Sequence, residues 1–426
     1  MKIERVEWDG SGARRLAARL RSLAPPREEV AGAVGEIVRS VRDRGDEALR
    51  EISAELGEQA PDSWRVDPEA IEAAPGLLDP KVREAMRVAG RNIASVARAE
   101  LEALRRPAAL ELPEGQLVEV RADPVLAAGV YAPGGRAPYA SSVLMCCIPA
   151  RVAGVARIAV ASPAGARGRP SAPVLAACAA AGVDEVYAIG GAQAIAAFAY
   201  GTESIEPVDL IAGPGNRYVV EAKRQASGAV GIDGIAGPTE LMVVADGTAV
   251  PERIALDLCA QAEHGEDGLL VVASPDVALL DRLEELVEEL AAERPTVAPA
   301  PLGLVATTGI EASLTLADAV APEHLELAYD GADEAAARGR VAGCVFVGRG
   351  GGAAFGDYVA GSNHVLPTGG AARFGGPLGP GSFRRRTSIV SLSRRAASNL
   401  APYVDALAGL EGFPVHGESA AARGGG

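Results

Sequence analysis

"RIAVASPAGARGRPSAPVLAACAAAGVDEVYAIG", residues 157 to 190, carries two short apolar runs on either side of an Ala-rich stretch. "RIAVAS" (157–162) and "DEVYAIG" (184–190) show little alternation of polar and apolar positions, the pattern of strands buried on both faces. A helix starting at Ser171 joins them, and a crossover of that length predicts a parallel pair. The same rhythm extends outward. "AGVYAP" (128–133) leads to a helix from Ser141, the run ending at Gly190 to a helix from Ala192, and "VDLIAG" (208–213) to a helix from Asn216. A second series follows: "ELMVVA" (240–245), helix 251–264, "GLLVVAS" (268–274), helix 276–293, "GLVAT" (303–307), helix 311–320 and "CVFVG" (344–348). The expected class is α/β, with two Rossmann-like parallel-sheet lobes, an N-terminal helical segment and a C-terminal helical tail. Residues 1–24 form the segment, 25–128 with 239–380 the first lobe, 129–238 the second lobe and 381–426 the tail. Residues 13–23 and 27–56 read as amphipathic helices. The stretch 369–386, rich in Gly, Pro and Arg, has the composition of a loop or linker, and 387–410 reads as a helix ending near Gly409 to Gly412.

Composition narrows the function. At 426 residues, 48% hydrophobic and 23% charged, the chain can bury a sizeable core and exceeds the usual single-core size. A net charge of −15 without a long basic run argues against nucleic acid or an anionic membrane surface as partner. A small-molecule partner is favoured. The charged start "MKIERVEWDG" is unlike a signal peptide, and apolar segments are too short to span a bilayer, so the expected address is cytoplasmic. Five cysteines without C-x-x-C spacing indicate neither a disulfide framework nor a four-thiolate zinc site. Cys146 and Cys147 invite a nucleophile reading, but helical apolar spacing around them favours small-hydrophobe packing.

The chain owns four histidines, all at Gly- or Pro-flanked loop or element ends beside carboxylates. Gln261 and His264 project from one face of the last turn of helix 251–264, where the free carbonyls favour a cation. Capping is the plainer alternative. In "APEHLEL" (321–327), Glu323 and His324 point different ways and can address different atoms of one ligand. An imidazole accepts a proton near neutrality and a carboxylate can orient water. Asp357 and His364 lie in "GDYVAGSNHVLPTGG" (356–370), and Glu411 and His416 in "EGFPVHG" (411–417). Asp357 suits zinc as an oxygen ligand beside imidazoles. "GRGGGA" (348–353) fits G-x-G-x-x-A, but neither a following helix nor a distant acidic residue is expected, so it is set aside. "VYAPGGRAPY" (130–139), "IGGAQAIAAF" (189–198) and "IAGPGN" (211–216) are better anion or dinucleotide candidates, each a strand end running through glycines into a helix start.

The strings "YAPGGRAPYASSVLM", "GGAQAIAAFAYGTE", "AGPGNRYVVEAKRQ", "IAGPTELMV", "QAEHG", "PEHLEL", "GDYVAGSNHVLPT" and "EGFPVHG" occur together and in order. The chain resembles the histidinol dehydrogenase family along its length. The resemblance implies a homodimer with one zinc per subunit that uses two NAD molecules to oxidise L-histidinol through the aldehyde to L-histidine, the last step of histidine biosynthesis. It implies zinc ligation by Gln261, His264, Asp357 and His416, and proton transfer by Glu323 and His324. It also implies substrate contacts from Thr239, Gln261, His264, His324, Asp357, His364, Glu411 and His416, and NAD contacts from Tyr131, Gln193 and Asn216. The tail is then exchanged between protomers, since Glu411 and His416 lie beyond the linker. Thr239 stands where the family usually has Ser, and Ala321 where Gly usually precedes "PEHL". The end after His416, "GESAAARGGG", is expected to fray. Relatives of the family oxidise other small alcohols, which keeps a second substrate class open. A zinc hydrolase is a further alternative, although no H-E-x-x-H helix is present.

Overall fold

The computed structural model describes residues 1–25, 29–57, 60–104, 108–134, 138–165 and 168–424. Two parallel sheets organise it, as the apolar runs predict. The larger has six strands in the order Lys2–Glu7, Pro301–Ala306, Leu269–Ser274, Glu240–Ala245, His324–Ala328 and Cys344–Val347. Glu240–Ala245 and Leu269–Ser274 are buried at every position. Their side chains divide by period two. Met242, Val244, Leu269 and Val271 pack with Leu16, Leu20 and Leu314 on one face. Leu241, Val243, Leu270 and Val272 pack with Ile254, Leu258, Leu279 and Leu283 on the other.

The smaller sheet has the spatial order Glu185–Ala188, Arg157–Ser162, Ala127–Tyr131, Leu210–Ala212 and Gly231–Ile232. Counted along the chain within this sheet, that order is third, second, first, fourth, fifth, so the winding reverses beside Ala127–Tyr131. A crevice at the carboxyl ends of the strands flanking such a reversal is the usual ligand position in open α/β sheets. Gly129 is required here because a Cβ would lie 2.7 Å from Cδ2 of Phe198, a fully buried ring. Burying a side chain of that size stabilises the fold by roughly 1.5–3 kcal/mol.

Several expectations are corrected. Residues 2–7, placed in a helical segment, form an edge strand paired in parallel with Pro301–Ala306. Its sequence KIERVE is mostly polar because it sits at the sheet margin, where Arg5 meets Asp281 and Glu284, and Arg19 reaches back to Glu4. The helix expected over 27–56 is two, Ala31–Arg44 and Asp46–Glu55, broken at Gly45 with φ 54°; residues 27–28 lie outside the described residues. The helices between residues 31 and 104, assigned to the first lobe, cover the second. Val34, Val38, Leu49 and Trp64 pack with Tyr131, Ile195 and Phe198. Ile71, Ala89 and Ile93 pack with Val130, Leu144 and Val160. A third sheet, antiparallel and unforeseen, joins Arg384–Ser391, Leu117–Pro124 and Ala108–Glu111. Residues 387–391 are therefore strand, and the helix begins at Arg394 and ends at Glu411, capped by Gly412 at φ 78°. The presumed linker is packed, with Leu378, Pro380 and Phe383 buried. The end expected to fray forms the helix Pro414–Gly424, which folds back on Arg394–Glu411; Gly425 and Gly426 lie outside the described residues.

Candidate functional site

The amino-end edge of the six-stranded sheet, where Thr239 leads into Glu240–Ala245 and Glu323 into His324–Ala328, brings together Thr239, Gln261, Glu323, His324 and Asp357. The helix Ile310–Val320 ends at Ala321, which sits at φ 49° and ψ 60°, the single non-glycine residue at positive φ among those described. Pro322 then turns the chain into the strand His324–Ala328. The conformation gives a physical reason to expect Gly at the Ala321 position: a left-handed cap is nearly free for Gly and costs other residues energy.

Glu323 is buried and firmly held. Its Oε2 accepts from Thr239 Oγ1 at 2.6 Å and from the Glu240 N–H at 2.9 Å. Gln261, also buried, donates through Nε2 to Thr239 Oγ1, so a Gln261–Thr239–Glu323 chain runs from the last helical turn to the strand entrance. His324 has acceptors at both nitrogens. Nδ1 lies 3.2 Å from the Glu240 carbonyl and 3.5 Å from Glu323 Oε2, and Nε2 lies 3.3 Å from Asp357 Oδ1. Burial by itself depresses this imidazole, but the hydrogen bonds and charges of Asp357 and Glu323 outweigh it and lift the group well above the usual range. Burial would raise the Asp357 carboxyl, yet the His324 hydrogen bond and the charges of His324, His364 and His264 hold it below its ordinary value. The Phe346 ring stacks against His324 at 6.0 Å.

His364 bridges the lobes. Its Nδ1 donates to the Asp357 carbonyl at 2.8 Å, while Nε2 lies 3.3 Å from Oγ of Ser142 on the second lobe's helix Ala140–Ala153. Burial pushes this imidazole below its usual range, against the opposing pull of Asp357 and Glu323. Asn363 donates to the Met145 carbonyl at 2.6 Å and fastens the same loop to the same helix. Ser142 and Met145 have no mark in sequence, because only the packing of the lobes brings them here.

Gln261 lies in the last turn of the helix Pro251–Ala262, and His264 follows two residues beyond the helix, exposed. With Asp357 they offer an amide oxygen, an imidazole and an ionised carboxylate, a donor set suited to zinc. Glu411 and His416 are elsewhere, exposed on the two tail helices, with the His416 ring 5.6 Å from Phe413. Among the described residues of one chain, no group of three His, Cys, Asp or Glu side chains comes close enough to hold a metal ion.

Tyr131, Gln193 and Asn216 all sit at carboxyl ends of the smaller sheet, around its winding reversal. The Tyr131 hydroxyl accepts from the Gly191 N–H at 3.1 Å at the start of the helix bearing buried Gln193. Asn216 Oδ1 caps the helix Arg217–Ala226 by accepting from Tyr218 and Val219 N–H groups. Gly135 to Ala137, in the glycine-flanked turn after Tyr131, lie outside the described residues. Lys223 and Asp233 were not anticipated: Lys223 Nζ donates to the Gly213 carbonyl at 2.6 Å, and Asp233 Oδ2 accepts the Gly213 N–H at 2.7 Å. A lysine within the buried stripe Val219, Val220, Ala222, Ala226 was the available signal. A groove of about 970 Å³ beside the helix Pro80–Leu104 contains none of these residues.

The other candidates resolve simply. Cys146 and Cys147 are fully buried and burial pushes both thiols up, against a nucleophile role. The glycine run 348–353 does lead into a helix, contrary to expectation, but it is the six-residue Ala353–Tyr358, and the Glu326 carboxylate already takes the Ala353 N–H.

Comparison with known proteins gives one answer. The family model described as histidinol dehydrogenase matches residues 23–424. The chain is 42% identical to a histidinol dehydrogenase of Rhodospirillum rubrum over 419 residues, covering 96% of this chain and 95% of that one. It is 45% identical to one of Thermus thermophilus over 415 residues, covering 95% and 96%. The crystal structure of histidinol dehydrogenase from Elizabethkingia anophelis superposes with a TM-score of 0.89 at 30% identity, covering 99% of this chain and 98% of that one. Matching the family model over nearly its whole length, and its relatives end to end, the chain belongs to the histidinol dehydrogenase family.

Proposed function

We propose that this chain oxidises L-histidinol through the aldehyde to L-histidine, the last step of histidine biosynthesis, as a cytoplasmic homodimer with one zinc per subunit and two NAD consumed per turnover. The observation that carries the reading is the buried junction of Glu323, His324 and Asp357, with His324 Nε2 3.3 Å from Asp357 Oδ1. It supports the reading because an imidazole and two carboxylates, the groups that proton transfer, water activation and metal ligation require, share one small volume.

Gln261, His264 and Asp357 would hold the zinc, with His416 from the tail of a second copy as the fourth ligand. Bound zinc supplies a fixed anchor for the amino-alcohol and imidazole of the substrate. His324 Nε2, which faces Asp357, would receive the proton of the substrate hydroxyl, with the Asp357 carboxylate committed to the zinc. NAD held by Tyr131, Gln193 and Asn216 supplies the hydride acceptor. Glu323 then takes a proton from the water that hydrates the aldehyde, and its anchors on Thr239 and Glu240 keep it aimed. His324 serves again as the hydrate gives up its second hydride. Thr239, His364 and Glu411 complete the substrate's polar contacts. No helix among the described residues is long and apolar enough to cross a membrane.

The tail supports the dimer. Tyr403, Leu407, Leu410, Phe413 and Val415 are all more than half exposed on its two helices and the turn between them, an apolar face that a second copy would cover. The test is the yield of NADH per histidinol consumed, alongside small sulfonated alcohols as alternative substrates. A ratio near two with histidinol is expected; no NADH from histidinol would overturn the proposal.

A further inference from the structure

Glu326 lies outside the catalytic set, yet it is among the most deeply buried carboxylates in the chain, at 1% exposure. A buried carboxylate is costly unless it is hydrogen-bonded. Two residues after His324 on the same strand, it projects to the same side of the sheet. Its Oε1 accepts from the Ala353 N–H at 2.8 Å. Ala353 opens the helix Ala353–Tyr358, and one turn later that helix presents Asp357. Asp357 Oδ1 in turn faces His324 Nε2 at 3.3 Å. The circuit closes: strand and helix are braced at both ends, by Glu326 to Ala353 and by His324 to Asp357.

A six-residue helix has little stability of its own and takes its position from its attachments. A third element joins the brace. Asp257, one turn before Gln261 on the helix Pro251–Ala262, packs on Gly352, where a Cβ would lie 3.2 Å from its Oδ1. Burial raises both carboxyls, and the charge of Asp257 lifts Glu326 further, so the pair retains a proton and does not repel.

We infer that Glu326 is a positioning residue: by tying the strand of His324 to the helix of Asp357 it sets the place of a metal ligand relative to the base. The inference rests on the zinc reading of Asp357 given above. Outer partners of metal ligands commonly change metal affinity on the order of 10–100-fold when lost.

The experiment uses the full-length chain and measures the zinc dissociation constant by competition with a chromophoric chelator, together with kcat and both KM values. Glu326→Gln keeps the acceptor oxygen and the volume, and stays within about threefold of wild type in zinc affinity. Glu326→Ala raises the zinc dissociation constant on the order of 10–100-fold and lowers kcat, while KM for NAD is unchanged because the other lobe is untouched. A purely structural role would lower thermal stability and leave zinc affinity alone, and that result overturns the inference. Should Glu326→Ala fail to fold, Glu326→Asp, which withdraws the carboxylate by one methylene, must show the zinc loss; wild-type affinity there is equally fatal. A wild-type chain that holds no zinc would sink the zinc reading along with this one, whereas normal wild-type binding with an unaltered Glu326→Ala sinks this inference alone.

Discussion

Lys223 Nζ lies 2.5 Å from Asp233 Oδ1, with both side chains almost wholly buried beneath the strand end Leu210–Ala212. The pair also grips Gly213 from both sides, through its carbonyl and its N–H. Gly213 adopts φ 112°, and a Cβ there would lie 2.2 Å from the Tyr131 carbonyl oxygen. So the turn proposed to receive NAD is held in an unusual conformation by an ion pair. Removing one partner strands the other charge in the core, which costs about 3–5 kcal/mol, whereas replacing both with apolar groups of similar size is often near neutral. Lys223→Met and Asp233→Asn should each lower the unfolding midpoint and raise KM for NAD, and a double replacement by apolar residues should recover stability without recovering KM. Single variants as stable as wild type would refute the account.

The base is tested separately. Replacing His324 by Asn removes the proton acceptor but leaves Gln261, His264 and Asp357 in place. Turnover should fall by about 10²–10⁴-fold, the usual range for a lost general base, with zinc content still near one per chain. Retained turnover would move the proton-transfer role to another residue.

How much of this was legible beforehand follows from what each residue meets. Buried central strands such as Glu240–Ala245 declare themselves as unbroken apolar runs. Lys2–Glu7 and Arg384–Ser391 do not, because each is partly exposed and carries charges that read as solvated surface. The helices between residues 31 and 104 are evident from their periodicity, but which sheet they cover is decided by long-range packing of residues such as Trp64 and Ile93. In the site, His324 and Asp357 stand out as polar residues at glycine- and proline-flanked turns. Glu326, by contrast, looks like the solvent-facing member of an alternating strand, and only the helix placed over it by the glycine run 350–352 buries it.

Ala321 gives a stability prediction. Holding an L-residue in the left-handed region costs roughly 1–2 kcal/mol, and glycine's extra freedom in the unfolded chain takes back about 0.5–1 kcal/mol. Ala321→Gly should therefore raise the unfolding midpoint slightly, with kinetic constants unchanged because Pro322 still fixes the entry to Glu323. A lower midpoint would mean that the buried Ala321 methyl contributes more by packing than the backbone loses by strain.

The Asp257–Glu326 pair makes stability depend on pH in a definite direction. Burial raises Asp257 from 3.8 to about 6 and Glu326 from 4.5 to about 8, and Asp257, Asp357 and His324 are the charged groups facing Glu326. A carboxyl whose folded value lies above its unfolded value binds its proton more tightly when folded. Its contribution is complete below about pH 4, where both states are protonated, and is lost as pH climbs through the folded values. Glu326→Gln cannot ionise, yet it keeps an oxygen for the Ala353 N–H. The difference in unfolding midpoint, variant minus wild type, should therefore increase between pH 6 and pH 9 in favour of the variant. Thermal melts of both chains across that interval decide it: a difference that stays flat or falls would show that Glu326 is already ionised in the folded chain at neutral pH, held as an anion by His324 rather than sharing a proton with Asp257.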